Sequence, residues 1–133
     1  MKKAGIHRVF RLSLVYKTYK GFGLFNLFVR FLREYLLDCK IRNLSQQTIK
    51  NKRIQNKVAI NYFEHEFGIT KLGKVKKVHV KAYLNNKLES DCKASTINTH
   101  LKILKSFFAY GVEEGYISVN PAETIKLLKR ESL

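Results

Sequence analysis

The sequence has 133 residues, of which 45% are hydrophobic, and it carries a formal net charge of +16 at pH 7. This length supports one modest hydrophobic core and is too short for two, so we expect a single domain with a tail. The charge predicts an anionic partner, and no stretch reaches the roughly 18 uncharged apolar residues that a membrane-spanning helix needs.

The first 23 residues form a basic segment that contains six Lys or Arg residues and no acid. Charged residues interrupt its apolar positions, which is not typical of a signal peptide. Its apolar residues alternate as in a strand before the glycines Gly21 and Gly23. We interpret it as a basic N-terminal arm, with a packed strand or an extra helix as the alternatives. From Leu24 to about Arg42, aromatic and aliphatic residues keep helical spacing and predict the first helix.

A second helix is predicted from Gln46 to about Phe67. Ser45 can cap its start, and Gly68 can take the left-handed conformation that ends a helix. One face is expected in the core, namely Ile49, Ile60, Phe63 and Phe67. The neighbouring face is a basic ridge at i, i+3, i+7 spacing, formed by Lys50, Arg53 and Lys57. Ile54, Val58 and Tyr62 lie on another side of this helix.

A third helix is predicted from about Val78 to Leu88, and a fourth from Thr96 with Ser95 as its N-cap. The expected core residues of the third helix are Val80, Tyr83, Leu84 and Leu88. Those of the fourth are Ile97, Leu101, Leu104, Phe108 and Val112, with a second apolar strip of Ile103, Phe107 and Tyr110.

The end of the fourth helix is also marked in the sequence. Gly115 can end it and Pro121 cannot continue it, and we expect a last short helix to start near Ala122.

The order of charges along the predicted helices is opposite to the order that the helix dipole favours. Bases come early and acids late in the second, third and fourth helices, for example Lys50 and Glu66 in the second. Bases beside a helix N-terminus combine with free backbone amides to bind phosphate groups. The polar sector of the fourth helix is a second candidate binding face, because it has no carboxylate before Glu113.

Two segments together resemble a known family. LSQQTIKNKR, from Leu44 to Arg53, is followed about fifty residues later by KASTINTHLKILKSFFAYGVEEGYISVNPA. In this order they are similar to the core-binding, SAM-like domain of tyrosine recombinases, the phage integrase and Xer group. The family pattern is an N-capped helix opening with Thr and a hydrophobic residue, and a later helix followed by Gly, a hydrophobic residue and Asn-Pro. The matching positions are Thr48, Ile49, Gly115, Ile117, Asn120 and Pro121.

The match covers roughly residues 24–125, and two positions depart from it. Lys52 stands where an aromatic residue is usual, and Asn56 where an apolar residue is usual. The local packing of the second helix is therefore the part that the resemblance describes least well.

The resemblance implies an all-α orthogonal bundle of four to five helices that grips duplex DNA, with the second and fourth helices at the major groove. It divides the chain into a basic arm (1–23), a core-binding domain (24–121) and a short helix or linker toward a catalytic domain (122–133). The expected DNA-binding residues are Thr48, Lys50, Asn51, Arg53, Lys57, Ser95, Thr96, Asn98, Thr99, Lys102 and Lys105. Asn98 in particular can offer both a donor and an acceptor to an adenine edge.

In this family, cutting and rejoining of DNA are done by a separate C-terminal domain with two arginines, a lysine, a histidine and a tyrosine nucleophile. Only twelve residues follow Pro121. We therefore expect no catalytic residue in this chain and no DNA cleavage by it alone, although its parent is expected to be a recombinase. The expected partner is double-stranded DNA, and the expected location is the cytoplasm. The chain is expected to be a monomer in isolation, and the resemblance implies that the full-length proteins of the family form oligomers on DNA.

Other chemistry finds little support in the sequence. Cys39 and Cys92 lack CxxC spacing, the four histidines show no i, i+4 pair, and the glycines form no nucleotide-binding motif, so we expect no metal, cofactor or small-molecule ligand. The helical tyrosines are expected in packing positions with their hydroxyls reaching the surface, namely Tyr35, Tyr62, Tyr83 and Tyr110.

Three alternatives to a recombinase domain stay open at this point. The first is a non-enzymatic nucleic-acid binder, of RNA for example. The second is an anionic-membrane binder that uses Leu24 to Leu37, and the third is a helical protein-interaction domain. The recombinase domain is the favoured interpretation, and under it we expect no membrane partner.

Overall fold

The computed structural model describes residues 27–129 of the protein, and all regular structure in that part is helical. The predicted arm (1–23) and the first three residues of the predicted first helix lie outside the described residues. The all-α fold is confirmed for residues 27–129. Its four α-helices and one 3-10 turn are α1 (Leu27–Ile41), α2 (Gln46–Phe67), the turn Leu72–Lys74, α3 (Lys77–Glu89) and α4 (Ala94–Glu113).

The ends of α2 follow from local chemistry, and both predictions for them are confirmed. The Ser45 hydroxyl accepts a hydrogen bond from the backbone N–H of Thr48 at 3.1 Å, which satisfies a first-turn amide. Gly68 has φ of 66°, a left-handed conformation, and its N–H donates to the Glu64 carbonyl. The long second helix is therefore bounded by its own sequence.

The predicted start of α4 is wrong by two residues. The helix begins at Ala94 with Lys93 as its N-cap residue, and no side chain among residues 27–129 caps it. The cause is the turn after α3, where Asp91 takes a left-handed φ of 64° and the Cys92 N–H donates to the Lys87 carbonyl at 3.2 Å. This tight turn returns the chain to a helical path early, so Ser95 lies inside the first turn instead of capping it.

The core is an aromatic cluster shared by α1, α2 and α4. The Phe28 ring lies 6.2 Å from that of Phe63 and 6.1 Å from that of Phe107, in near-parallel orientation, and Phe108 meets it edge-on at 6.5 Å. The predicted core residues are confirmed in the middle of the helices and wrong at three helix ends. Phe67, Leu88 and Val112 are exposed, because each lies in the last turns of its helix, beyond the cover of its neighbours.

The segment after α4 lies against the bundle without forming the predicted last helix. Gly115 has the expected left-handed φ of 82°, and a turn at 121–124 is followed by irregular backbone to residue 129. Ala122 and Ile125 are buried. The Asn120 side chain accepts from the Ala122 N–H at 2.9 Å and donates to the Lys105 carbonyl at 3.0 Å. The Asn120 side chain therefore ties the start of this segment to α4.

Among residues 27–129, no helix is both long and apolar enough to cross a membrane.

Candidate nucleic-acid interface

The basic ridge predicted on α2 is present on the surface. Lys50, Arg53 and Lys57 are all exposed. Within the described part of the chain, no carboxylate lies at ion-pair distance from any of the three. An unpaired cation on a helix surface stays hydrated and available to an anionic partner. The described residues therefore leave the ridge available to an anionic partner.

A groove of about 690 Å³ opens where the end of α1 meets the start of α2. Lys40, Lys50 and Arg53 line it together, with Gln46 and Gln47 from the first turn of α2. The turn between the helices brings Lys40 to this place, and Asn43 takes a left-handed φ of 64° in it. Sequence reasoning missed Lys40, although the short connection from α1 to Ser45 was a signal that the two helix ends would be close.

A second polar feature, the Lys52 seam, joins three helices through Lys52, Tyr35 and Ser106. The Lys52 Nζ donates to the Tyr35 hydroxyl at 3.1 Å and to the Ser106 hydroxyl at 3.4 Å. The two hydroxyls are 2.8 Å apart, and the ammonium lies 5.6 Å from the centre of the Tyr35 ring. The family that the sequence resembles usually has an aromatic residue at this position. In this chain the position holds a cation that links α1, α2 and α4.

The ridge and the Lys52 seam point in different directions. At about 100° per residue, Lys52 lies about 130° around the α2 axis from the centre of the ridge. Thr48, one turn before Lys52, lies within about 40° of Lys52 around the helix axis. It is therefore the predicted DNA-binding residue of α2 that lies on the side of α4. Asn51 is exposed away from both, and its side-chain oxygen accepts from Gln47 at 3.0 Å. The predicted α2 residues therefore do not form one continuous face.

The predicted sector of α4 is mostly exposed. Ser95, Thr96, Thr99 and Lys102 lie at the surface, and Lys105 is half-buried. The Thr99 hydroxyl donates to the Ser95 carbonyl at 3.0 Å, so it bonds within its own helix. The structure therefore brings together a small polar surface in the first three turns of α4, with Lys102 as its exposed cation.

The expectation that Asn98 lies on this exposed sector is wrong. Asn98 is buried, with 7% of its surface exposed. Its side-chain Nδ2 donates to the Leu128 carbonyl at 3.0 Å, and its Oδ1 accepts from the Leu128 N–H at 2.7 Å. Both groups that were expected to read a base are thus engaged with the backbone of the C-terminal segment. The helical wheel could not show this, because the segment that covers Asn98 is thirty residues away in sequence.

A buried carboxylate ties α1 to the end of α4. Glu34 accepts from the Tyr110 hydroxyl at 2.8 Å and from the Tyr116 hydroxyl at 2.6 Å. Burial and then the Glu34 carboxylate raise the pKa of Tyr110 well above its usual range. Burial likewise raises the pKa of Tyr83. The expectation that these two hydroxyls reach the surface is therefore wrong, and one acid is held away from the basic surface.

The described residues contain no group of three or more His, Cys, Asp and Glu side chains that could hold a metal ion. Cys39 is buried and Cys92 is half-buried, and both are free thiols.

Known proteins and structures resemble this chain in fold more than in sequence. No curated protein sequence matches it at a significant level. One solved structure with a similar fold is the crystal structure of a lambda integrase(75-356) dimer bound to a COC' core site, with a TM-score of 0.61 and 20% sequence identity. The likeness covers 77% of this chain and 34% of that chain, so this chain spans about a third of the length of the integrase it matches.

The family model described as "Phage integrase, N-terminal SAM-like domain" matches residues 28–115, which are the four helices and the turn that ends α4. The matched residues make up well over half of the sequence, and the helical architecture agrees with a SAM-like bundle. The chain therefore belongs to the phage integrase N-terminal SAM-like domain family.

Proposed function

We propose that this chain is the DNA-binding, core-binding module of a site-specific tyrosine recombinase. The observation that carries the proposal is the ridge of Lys50, Arg53 and Lys57, which is exposed and without a carboxylate partner among the described residues, on a chain of the integrase family. Arrays of unpaired cations bind the phosphate backbone of DNA and release its counterions. The lambda integrase of similar fold is bound to a COC' core site in its crystal structure, which supports the choice of this partner.

We assign the ridge and Lys40 to phosphate contacts, because lysine and arginine chiefly set position and register on a duplex. Thr48 on α2 and the exposed polar surface of α4, namely Ser95, Thr96, Thr99, Lys102 and the half-buried Lys105, supply a second set of contacts. Asn51 is exposed on α2 between the ridge and Thr48, and it is the last of the proposed DNA-contacting residues. Since the ridge points about 130° away from the side of α2 that meets α4, the two sets hold separate stretches of DNA backbone.

Strand cleavage and rejoining belong, in this proposal, to another part of the parent recombinase. None of the residues described here is assigned a catalytic role, and the chain alone is expected to bind DNA without cutting it. We further expect it to be monomeric in solution and to associate with other copies only on DNA. Light scattering of the chain with and without a duplex measures this directly.

Equilibrium binding over a range of salt concentrations tests the proposal. Fluorescence anisotropy with a labelled DNA duplex should give a log K that falls with log salt by about 0.9 for each phosphate contacted. About four to seven contacts are expected for one small domain. The control ligand is a single-stranded RNA of equal length. A slope near zero contradicts the proposal, and tighter binding to the RNA favours a non-enzymatic nucleic-acid module instead.

A further inference from the structure

The segment that follows α4 runs back along that helix toward its start. Asn120, near the beginning of the segment, donates to the carbonyl of Lys105 in the second half of α4 at 3.0 Å. Eight residues further on, the backbone of Leu128 bonds to the side chain of Asn98, which lies in the second turn of α4. We call residues 122–129 the strap. The strap therefore ends beside the exposed polar surface at the start of α4.

The strap is anchored to the bundle although it has no regular secondary structure. Ala122 and Ile125 are buried, and the half-buried Leu128 packs against the core. The Asn98 side chain binds both the N–H and the carbonyl of Leu128, at 2.7 Å and 3.0 Å, as a neighbouring strand would. Because these contacts order the backbone in advance, side chains on the strap lose less conformational entropy when they bind a partner.

The strap carries two exposed cations, Lys126 and Lys129. Within residues 27–129, no carboxylate lies at ion-pair distance from either of them. The carboxylate of the strap itself, Glu123, is exposed at the opposite end, where it lines a groove together with Lys105. The cationic end of the strap is therefore the end that lies beside the start of α4.

The bonds of Asn98 bring Lys129 next to residues already assigned to DNA. Ser95 and Lys102 lie about one turn before and after Asn98, within about 60° of it around the helix axis. Lys129 is one peptide unit, about 3.8 Å, beyond the residue that Asn98 binds. A duplex presents one phosphate for about every 3.4 Å of axis on each strand, so lysines this close can meet neighbouring phosphates.

We propose that Lys126 and Lys129 bind phosphates of the same duplex that contacts the polar surface of α4, and that Asn98 is a positioning residue that holds the strap there. This inference rests on the proposed function, and it adds the strap to the ridge and to α4 as a third element of the interface. Asn98 thus acts on DNA binding through the backbone of Leu128 and not through a base.

The salt dependence of duplex binding by the full chain, measured by fluorescence anisotropy, tests the strap contacts. Lys129→Ala should reduce the slope of log K against log salt by about 0.9, and the double variant with Lys126→Ala by about twice as much. The matched control is Lys81→Ala, which removes the same charge from an exposed position on α3 and should keep the slope of the unmodified chain. Strap variants that keep that slope overturn the proposal, while the proposed function stands if the unmodified chain still shows a steep slope. A slope near zero in the unmodified chain overturns both.

A double-mutant cycle tests the positioning role of Asn98. In an Asn98→Ala background, Lys129→Ala should change the slope by less than about half of its effect in the unmodified chain, because the strap is no longer held beside α4. An equal effect of Lys129→Ala in both backgrounds overturns the positioning role, since it leaves Asn98 with a structural role alone. Circular dichroism shows whether Asn98→Ala is folded under the assay conditions. If it is not, Leu128→Pro takes its place in the cycle, because it removes the N–H that bonds to Asn98 and leaves α4 unchanged.

Discussion

Two lysines on α2, only two positions apart, lie in different environments. Lys50 is exposed on the ridge and lines the groove at the α1–α2 junction. Lys52 is partly buried and donates to hydroxyls of α1 and α4 in the Lys52 seam. A lysine side chain is thus available to a binding partner at position 50 and stabilises the fold at position 52. Position around the helix axis, and not residue type, decides which charges of this basic chain are available for binding.

The asparagines of the bundle show the same contrast. Asn51 is exposed, and Asn98 binds the Leu128 backbone from a buried position. Asn56 is fully buried, and neither of its side-chain groups has a hydrogen-bond partner in the part of the chain that the structure describes. Substitutions of the buried asparagines are therefore expected to have different consequences from substitutions of the exposed one.

The largest effect is expected from the interior of α4. Phe108 is fully buried, so Phe108→Ala should lower the free energy of unfolding by about 3 to 5 kcal/mol through lost contacts and a cavity. Lys102→Ala, on the exposed side of the same helix, should change it by no more than about 0.5 kcal/mol. Urea melts of both variants measure the contrast. Equal losses would show that the two faces of α4 are assigned wrongly.

Asn98→Ala should destabilise the fold without changing DNA specificity. Its loss leaves the N–H and carbonyl of the half-buried Leu128 without their side-chain partner, which should cost about 1 to 3 kcal/mol. Asn85→Ala, at an exposed position on α3 outside the proposed interface, is the matched control and should stay within about 0.5 kcal/mol. Urea melts and binding to a duplex are measured on both variants. Weaker binding by Asn98→Ala with unchanged stability would instead restore Asn98 as a residue that reads DNA bases.

Asn56→Leu should stabilise the protein, in contrast to most core substitutions. The Asn56 amide is buried and has no hydrogen-bond partner within residues 27–129, and replacing it with an apolar side chain of similar shape should add about 1 to 2 kcal/mol to the free energy of unfolding. Thermal and urea melts measure this change, with Asn51→Leu as the exposed control. A loss of stability would mean that Asn56 has a polar partner in solution.

The features that sequence predicted well are those whose causes are local. Ser45 and Gly68 bound α2 because a cap hydroxyl and a left-handed glycine act within a few residues of the helix end. The ridge of Lys50, Arg53 and Lys57 was likewise set by helical spacing alone. Fold class followed from the same periodicity, and the family resemblance was confirmed by the match to residues 28–115.

The features that sequence missed depend on residues far apart in the chain. Asn98 and Leu128 are thirty positions apart, and Glu34 and Tyr110 are seventy-six apart, so no local pattern could show that these polar groups are paired. Lys40 enters the candidate site only because the turn at Asn43 folds α1 beside α2. The segment after Asn120 forms a turn and irregular backbone where a last helix was predicted, and the Asn120 side chain accepts from the Ala122 N–H.

The salt dependence of DNA binding by Arg53→Ala tests most directly whether the exposed ridge holds phosphates. Lys81→Ala is the control, because it removes the same charge from an exposed position on α3 outside the proposed interface. Fluorescence anisotropy on one duplex at several salt concentrations gives the slope of log K against log salt for each chain. We predict that Arg53→Ala reduces this slope by about one phosphate contact, on cognate and scrambled duplexes alike, while Lys81→Ala keeps the slope of the unmodified chain. Equal slopes for all three chains would contradict a phosphate-binding ridge.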